Sequence, residues 1–373
     1  MIDLTIPYLD GWNLVGLPVG VENSAYELIY PDAIEETLYS FSDGYTAEDE
    51  LISGVGYWLR FPEEGISMIS GSPFNELLVS LTEGWNLISG ISTSTPINYI
   101  QDTNNIIIPE TIYGWEANYI LSDELEPGKA YWVRANSDGI ILISDDGNQR
   151  TVSDNNLSLE NGNRIHFKNE KGYESTLHFG MNIPDNNLLS YSLPPLPPIG
   201  AFDVRFDGNM RVVEDGGKIK IQSQEYPITL SYNIKNDEEY SGNWILVNPF
   251  SGDEYILSDT GSIEFVSPVN ELILSKETVL PSQFTLSQNY PNPFNPVTNI
   301  QFFLPEESKL TLVIYDLSGR MIIKLMSEII ESGSHNVIWD ARDKLGNPVS
   351  AGVYFYQIQT EYFSQTRKMV LLK

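Results

Sequence analysis

The chain reads as an all-β protein built of three β domains in a row, and three observations predict it. Apolar residues recur at alternate positions through most of its length, which is the period of a strand and not of a helix. Turn formers punctuate that alternation, with 28 Gly and 22 Pro among 373 residues, as short strands require. One unit occurs twice within residues 1–144, at an offset of 73 or 74 residues.

The repeat defines the first domain. Gly11, Trp12 and Asn13 recur as Gly84, Trp85 and Asn86, and Tyr39, Phe41, Tyr45, Leu51, Gly54, Tyr57 and Trp58 recur as Tyr113, Trp115, Tyr119, Leu125, Gly128, Tyr131 and Trp132. The copies span about 1–71 and 72–144. Each predicts a strand after Gly-Trp-Asn, a short helical or irregular insert, a strand pair, a glycine turn, a Tyr-Trp strand and a closing strand. The inserts open at Asn23 and Ser24, and at Thr95 and Pro96, which are good helix starts. Pro127 and Gly128 suit a type II turn. Each copy is small for a core of its own, so the two are expected to pack as one pseudo-symmetric domain. Trp12, Trp58, Trp85, Trp115 and Trp132 are candidate platforms for stacking a sugar ring. The competing reading is core packing, since one of two adjacent strand residues, Tyr57 or Trp58, faces inward and the other outward. The pattern resembles repeats of bacterial and archaeal surface proteins that have no known common activity.

Residues 145–273 predict a β-sandwich, with strands at 164–167, 175–179, 202–206, 218–222, 228–233, 244–248 and 262–266. Ahead of the strand at Phe202 stand Pro194, Pro195, Pro197 and Pro198, which impose a polyproline or edge conformation. This string is either a rigid crossover or a ligand for a proline-binding partner. Residues 274–283 read as a linker.

The last segment, 284–373, begins with a run that contains Asn289, Tyr290, Pro291, Asn292, Pro293, Phe294, Asn295 and Pro296. Three prolines there exclude a regular ladder, so an extended or turning lead-in is expected. Ile300, Phe302 and Leu304, then Leu310, Leu312 and Ile314, alternate as inward-facing strand residues. Val337 with Trp339, Val353 with Phe355, and Val370 with Leu372 are expected to continue that set. Tyr315 and Asp316 lead into a turn at Gly319 and Arg320; Asp340 follows Trp339, and Gly352 and Tyr354 open a later strand. Six or seven short strands in this length argue an immunoglobulin-like sandwich.

The lead-in, the Tyr-Asp-Leu-Ser-Gly-Arg turn, Trp339 with Asp340, and the closing run from Lys368 to Lys373 resemble, in that order, the type A C-terminal sorting domain of the type IX secretion system. The strand and turn pattern is shared with a hook-capping domain of flagella, whose proteins lack the lead-in and the closing run. The family usually has Gly where Ala341 stands. The resemblance implies passage through the periplasm to the outer-membrane surface or beyond, with the translocon and its sortase as partners. Cargo of that system carries a signal peptide. Residues 1–10, MIDLTIPYLD, have no basic stretch, so a removed signal or a longer polypeptide is expected.

The formal net charge of −30 lies wholly outside the last segment, which holds eight acidic and eight basic residues. So acidic a body repels phosphate backbones and anionic lipid, which argues against nucleic acid and charge-driven membrane attachment. No apolar run reaches the roughly 18 residues of a spanning helix. The absence of cysteine removes disulfides, thiolate catalysis and cysteine metal sites.

Catalytic motifs are missing. His166, His178 and His335 accompany no nucleophile elbow, zinc motif or phosphate loop. Carboxylate pairs such as Glu35 with Glu36, Glu63 with Glu64, and Asp145 with Asp146 are expected by chance in so acidic a chain. Asp145, Asp146, Gly147 and Asn148 loosely match a calcium loop without its ligand spacing or distal Glu; no cofactor is expected, calcium being the one candidate metal. Two functions fit: a non-catalytic surface β protein that adheres, binds a glycan or other surface partner, or self-assembles as a structural subunit; or the non-catalytic C-terminal portion of a larger secreted hydrolase.

Overall fold

The computed structural model describes residues 1–146, 159, 162–235, 243–276 and 283–372. Its regular structure is nearly all strand, and the chain divides into two compact units, Met1–Glu277 and Thr278–Lys373. The repeat pair and the first sandwich therefore share one body. Among the described residues no helix is long and apolar enough to cross a membrane.

The two copies of the repeat fold alike. In the first, Gly11–Gly16 pairs with Gly56–Phe61, which pairs with Tyr39–Phe41, and that with Tyr45–Ala47. In the second, Gly84–Ser89, Ala130–Ala135, Tyr113–Trp115 and Tyr119–Leu121 are joined in the same order. The expected inserts are a single helical turn at Tyr26–Ile29 and a 3-10 turn at Ile97–Tyr99. The copies meet about a pseudo-two-fold axis, because their contacts are reciprocal. Val15 bridges Lys129, and their counterparts Ile88 and Val55 bridge each other. Likewise Gly16 N–H donates to Gly128 O at 3.0 Å, and Ser89 N–H donates to Gly54 O at 3.2 Å.

Each copy has its own apolar core, with Tyr57 in one and Tyr131 in the other, and a third cluster lies between them. This changes the reading of the Tyr-Trp strands. Tyr57 and Trp58 are both buried, as are Tyr131 and Trp132. Period two still sends them to opposite faces, but both faces are covered.

The following sandwich stacks two five-stranded sheets around one core. All seven expected strands are present, and Val212–Val213, Glu254–Leu257 and Glu271–Lys276 join them. The last of these corrects the linker, whose first three residues, 274–276, complete a strand paired with Trp244–Val247. Residues 277–282 lie outside the described residues.

The second unit is a sandwich of three strands, in the order Thr285–Leu286, Thr298–Leu304, Gly333–Trp339, against four, in the order Met321–Ile330, Ser308–Asp316, Gly352–Gln359, Ser364–Leu371. Ile300, Phe302, Leu304, Leu310, Leu312, Ile314 and Trp339 face inward as expected. Two strands have the opposite face inside. Tyr354, Tyr356 and Ile358 are buried in place of Val353 and Phe355, and Met369 and Leu371 in place of Val370 and Leu372. The buried tyrosines keep hydrogen bonds: Tyr354 Oη donates to Ser350 O at 2.6 Å and Tyr356 Oη to Ser287 O at 2.7 Å. Burial without loss of those bonds makes tyrosine an inward residue.

Candidate functional site

The five candidate tryptophans converge on the cluster between the copies, where matched residues exchange partners. Trp58 meets Trp115 edge-on with ring centres 4.8 Å apart, and the counterpart pair, Trp132 with Phe41, does so at 4.8 Å. Arg60 lies 6.0 Å from the ring of Trp12, and Arg134 lies 5.7 Å from that of Trp85. Trp58 and Trp132 are wholly buried, Trp12 is 9% exposed, and Trp85 and Trp115 are half-buried. Trp58, Trp132 and Trp12 are thus enclosed by the protein, and Trp85 and Trp115 keep part of their surface accessible.

What covers the cluster is the proline-rich string. Leu193 and Ala201, at its two ends, are buried members of the same cluster as Trp12, Trp58 and Trp132. Between them, each carbonyl from 194 to 199 accepts a hydrogen bond from the protein. Arg205 Nη1 donates to Pro194 O at 2.6 Å, Tyr119 Oη to Pro195 O at 2.7 Å, and Tyr45 Oη to Leu196 O at 2.6 Å. Gln222 Nε2 spans Pro197 O at 3.3 Å and Pro198 O at 3.2 Å, and Trp12 Nε1 reaches Ile199 O at 3.0 Å. Tyr45 Oη also accepts from Trp58 Nε1 at 3.2 Å. Burial raises the phenols of Tyr45 and Tyr119 above their ordinary range, so both remain donors at neutral pH.

Arg205 anchors the far side. It is 0% exposed and grips Asp203 through two bonds, Nε to Oδ2 at 2.6 Å and Nη2 to Oδ1 at 2.7 Å, while Nη1 also reaches Asn209 Oδ1 at 3.1 Å. Its guanidinium lies 5.9 Å from the ring centre of Tyr119. Asp203 and Arg205 were not singled out in the sequence, although a charged pair two apart inside Phe-Asp-Val-Arg-Phe was a readable signal, since both point to one face.

The histidines do not come together with a nucleophile. His166 Nδ1 pairs with Thr176 Oγ1 at 2.9 Å, and His335 Nε2 with Glu331 O at 2.9 Å. Burial, helped by Arg211 and Arg164, lowers His178 from 6.5 to about 4. Glu35, Glu36, Glu63, Glu64, Asp145 and Asp146 are exposed. Gly147 and Asn148 lie outside the described residues, among which no three His, Asp or Glu side chains gather as a metal site.

In the second unit the lead-in is threaded across the sandwich edge. Asn289 is buried, donating from its backbone to Tyr356 Oη at 2.8 Å and from Nδ2 to Thr298 Oγ1 at 2.9 Å. Tyr290–Pro291 and Asn292–Pro293 are cis peptides. Phe294, 1% exposed, packs 5.6 Å from the ring of Trp339. The lead-in is tied to the closing strand: Val370 N–H donates to Asn292 Oδ1 at 2.9 Å, Phe294 N–H to Val370 O at 3.0 Å, and Leu372 N–H to Phe294 O at 2.8 Å. Tyr290, Pro291, Asn292, Pro293, Asn295 and Pro296 keep exposed surfaces, as does Lys368; Lys373 lies outside the described residues. Asp316, below Tyr315, accepts from Ser318 N–H and Arg320 N–H, both at 3.0 Å, across a turn where Gly319 takes φ +80°. Asp340 pairs with Arg342 at 3.2 Å, and Gly352 opens its strand at φ +154°.

None of the curated proteins is similar enough to count as a relative. The solved structures that match include two from one organism. Dimeric latent PorU from Porphyromonas gingivalis matches at 11% identity and a TM-score of 0.22, over 83% of this chain and 31% of that one. PorZ, an essential surface component of the type IX secretion system of the same organism, matches at 15% identity and a TM-score of 0.19, over 90% of this chain and 44% of that one. The chain thus spans less than half of either. The family model for a secretion system C-terminal sorting domain matches residues 288–372, which take in the lead-in and the strand tied to it. That match at residues 288–372 indicates a protein that passes through the periplasm to the cell surface or the extracellular space.

Proposed function

We propose that this chain is a non-catalytic β protein exported by the type IX machinery, and that Met1–Glu277 is the part set to work outside, in adhesion, binding or as a structural subunit of the surface. The sorting domain at 288–372 is the observation that carries this reading. Its translocon and sortase are the partners, and the exposed Tyr290, 79% accessible, with the prolines beside it, is the surface offered to them. Charge supports a division of labour. The tail is neutral by count and the body holds the whole net charge of −30, which favours a soluble, mutually repelling surface once delivered.

Deleting residues 284–373 in the native host tests the export. Surface and culture-medium fractions are expected to lose the protein while the periplasm retains it. Undiminished arrival outside would sink the reading.

A further inference from the structure

The string at 194–198 is treated by the fold as a ligand is treated by a receptor. Proline fixes φ, and each residue before a proline is kept out of the helical region, so Leu193, Pro194, Leu196 and Pro197 are all restricted to extended or polyproline II backbone. Ser192, at the entrance, has φ −76° and ψ 145°, which are polyproline II values. Such a segment has no internal hydrogen bonds and turns its carbonyls outward. Here six successive carbonyls are all met by donors from distant parts of the chain, three of them phenol or indole groups of the duplicated domain. Aromatic grooves that hold a preformed polyproline helix by its carbonyls are a general mode of peptide recognition.

The duplication strengthens the case. Tyr45 and Tyr119 occupy the same position in the two copies, and their hydroxyls donate to neighbouring carbonyls, Leu196 O and Pro195 O. The string they grip, Pro-Pro-Leu-Pro-Pro, reads the same in both directions. Matched residues of the two copies thus grip adjacent carbonyls of one string.

We propose that the aromatic face of the duplicated domain is a receptor for proline-rich peptide segments, and that residues 194–198 are its built-in occupant. The ligand class is a polyproline II segment recognised by its carbonyls and flanked by apolar residues that enter the cluster, as Leu193 and Ala201 do. Occupancy in cis clamps the repeat pair to the sandwich and closes the site to segments of other chains. The proposal stands independently of the export route.

The test uses the full chain with Pro194→Ser, Pro195→Ser, Pro197→Ser and Pro198→Ser combined, and a synthetic peptide of residues 192–201 as the probe. Tryptophan fluorescence and indole N–H resonances report binding, and circular dichroism confirms the fold. The variant should bind the peptide at least about tenfold more tightly than a version with serine for every proline. Adding Tyr45→Phe and Tyr119→Phe should weaken it about tenfold or more, two hydrogen bonds being lost. The unmodified chain should bind far more weakly, since its own segment competes at an effective concentration on the order of millimolar. A folded variant that binds neither peptide, binds both alike, or binds a cello-oligosaccharide in their place overturns the proposal. If the serine variant does not fold, millimolar peptide added to the unmodified chain decides. A shift of the Trp12 indole resonance with the proline peptide alone supports the proposal, and no shift overturns it.

Discussion

Replacing Arg205 with alanine should destabilise Met1–Glu277 by about 3–5 kcal/mol, the cost of breaking a buried ion pair from one side. The structure gives the parts of that sum. The substitution removes both bonds to Asp203, at 2.6 and 2.7 Å, and strands its carboxylate at 6% exposure. It also frees Pro194 O from its donor at 2.6 Å. A second variant separates these effects. Asp203→Leu with Arg205→Met replaces the pair by apolar side chains and leaves no buried charge, so only the loss at Pro194 O and Asn209 should persist, about 1–2 kcal/mol. Guanidinium unfolding followed by fluorescence suits the measurement, because of seven tryptophans only Trp339 lies outside this unit. With a slope of roughly 5 kcal/mol per molar, the alanine variant's midpoint should fall by about 0.6–1 M. A fall smaller than about 0.2 M, or a double variant as unstable as the single one, would refute the assignment of Arg205 as the anchor.

Two further outcomes are expected. Since His178 is lowered to about 4, the unfolded chain binds a proton that the folded chain refuses between pH 6.5 and 4. Stability is fully present above pH 6.5 and declines as pH falls to about 4, by about 1–2 kcal/mol once solvent screening is allowed for; His178→Gln should flatten that limb of the stability curve, and an unchanged slope would count against it. Gly128 has φ +76°, and an added Cβ would stand 2.7 Å from Ile6 carbons, whereas Gly11, at φ +78°, has open space. Gly128→Ala should therefore cost about 2–4 kcal/mol and Gly11→Ala about 1 kcal/mol in the same denaturation assay; equal losses would mean the Ile6 contact is relieved at no expense.

Strands whose two faces differ in polarity were legible, and those alike on both faces were not. Ile300, Phe302 and Leu304 alternate with residues that include Asn299 and Gln301, so their inner face was readable. Residues 353–356 are Val-Tyr-Phe-Tyr, and alternation cannot choose between two apolar sets. The choice is made by Ser350 O and Ser287 O, which accept the tyrosine hydroxyls. A one-residue change of phase then turns the whole strand over. The tryptophan positions were legible as a repeat, but what covers them was not. Tyr45 and its acceptor at Leu196 are 151 positions apart, and Trp12 and Ile199 are 187 apart. No local pattern announces such a contact, and the proline string by itself fitted a crossover as well as a ligand. Asp203 with Arg205 was within reach, being two apart in a strand that otherwise reads as core.

The tie between the lead-in and the closing strand sets a condition on when the lead-in takes its folded shape. Asn292 and Phe294 take their partners from Val370 and Leu372, and Val370 leaves the ribosome 78 residues after Asn292. Until that strand has been made, the lead-in is held only by nearer partners, such as Asn289 and Thr298 on Pro291 O. The shape of the lead-in is thus a property of the finished domain: a chain clipped before Val370 keeps the same letters and loses the bonds that hold Asn292 and Phe294.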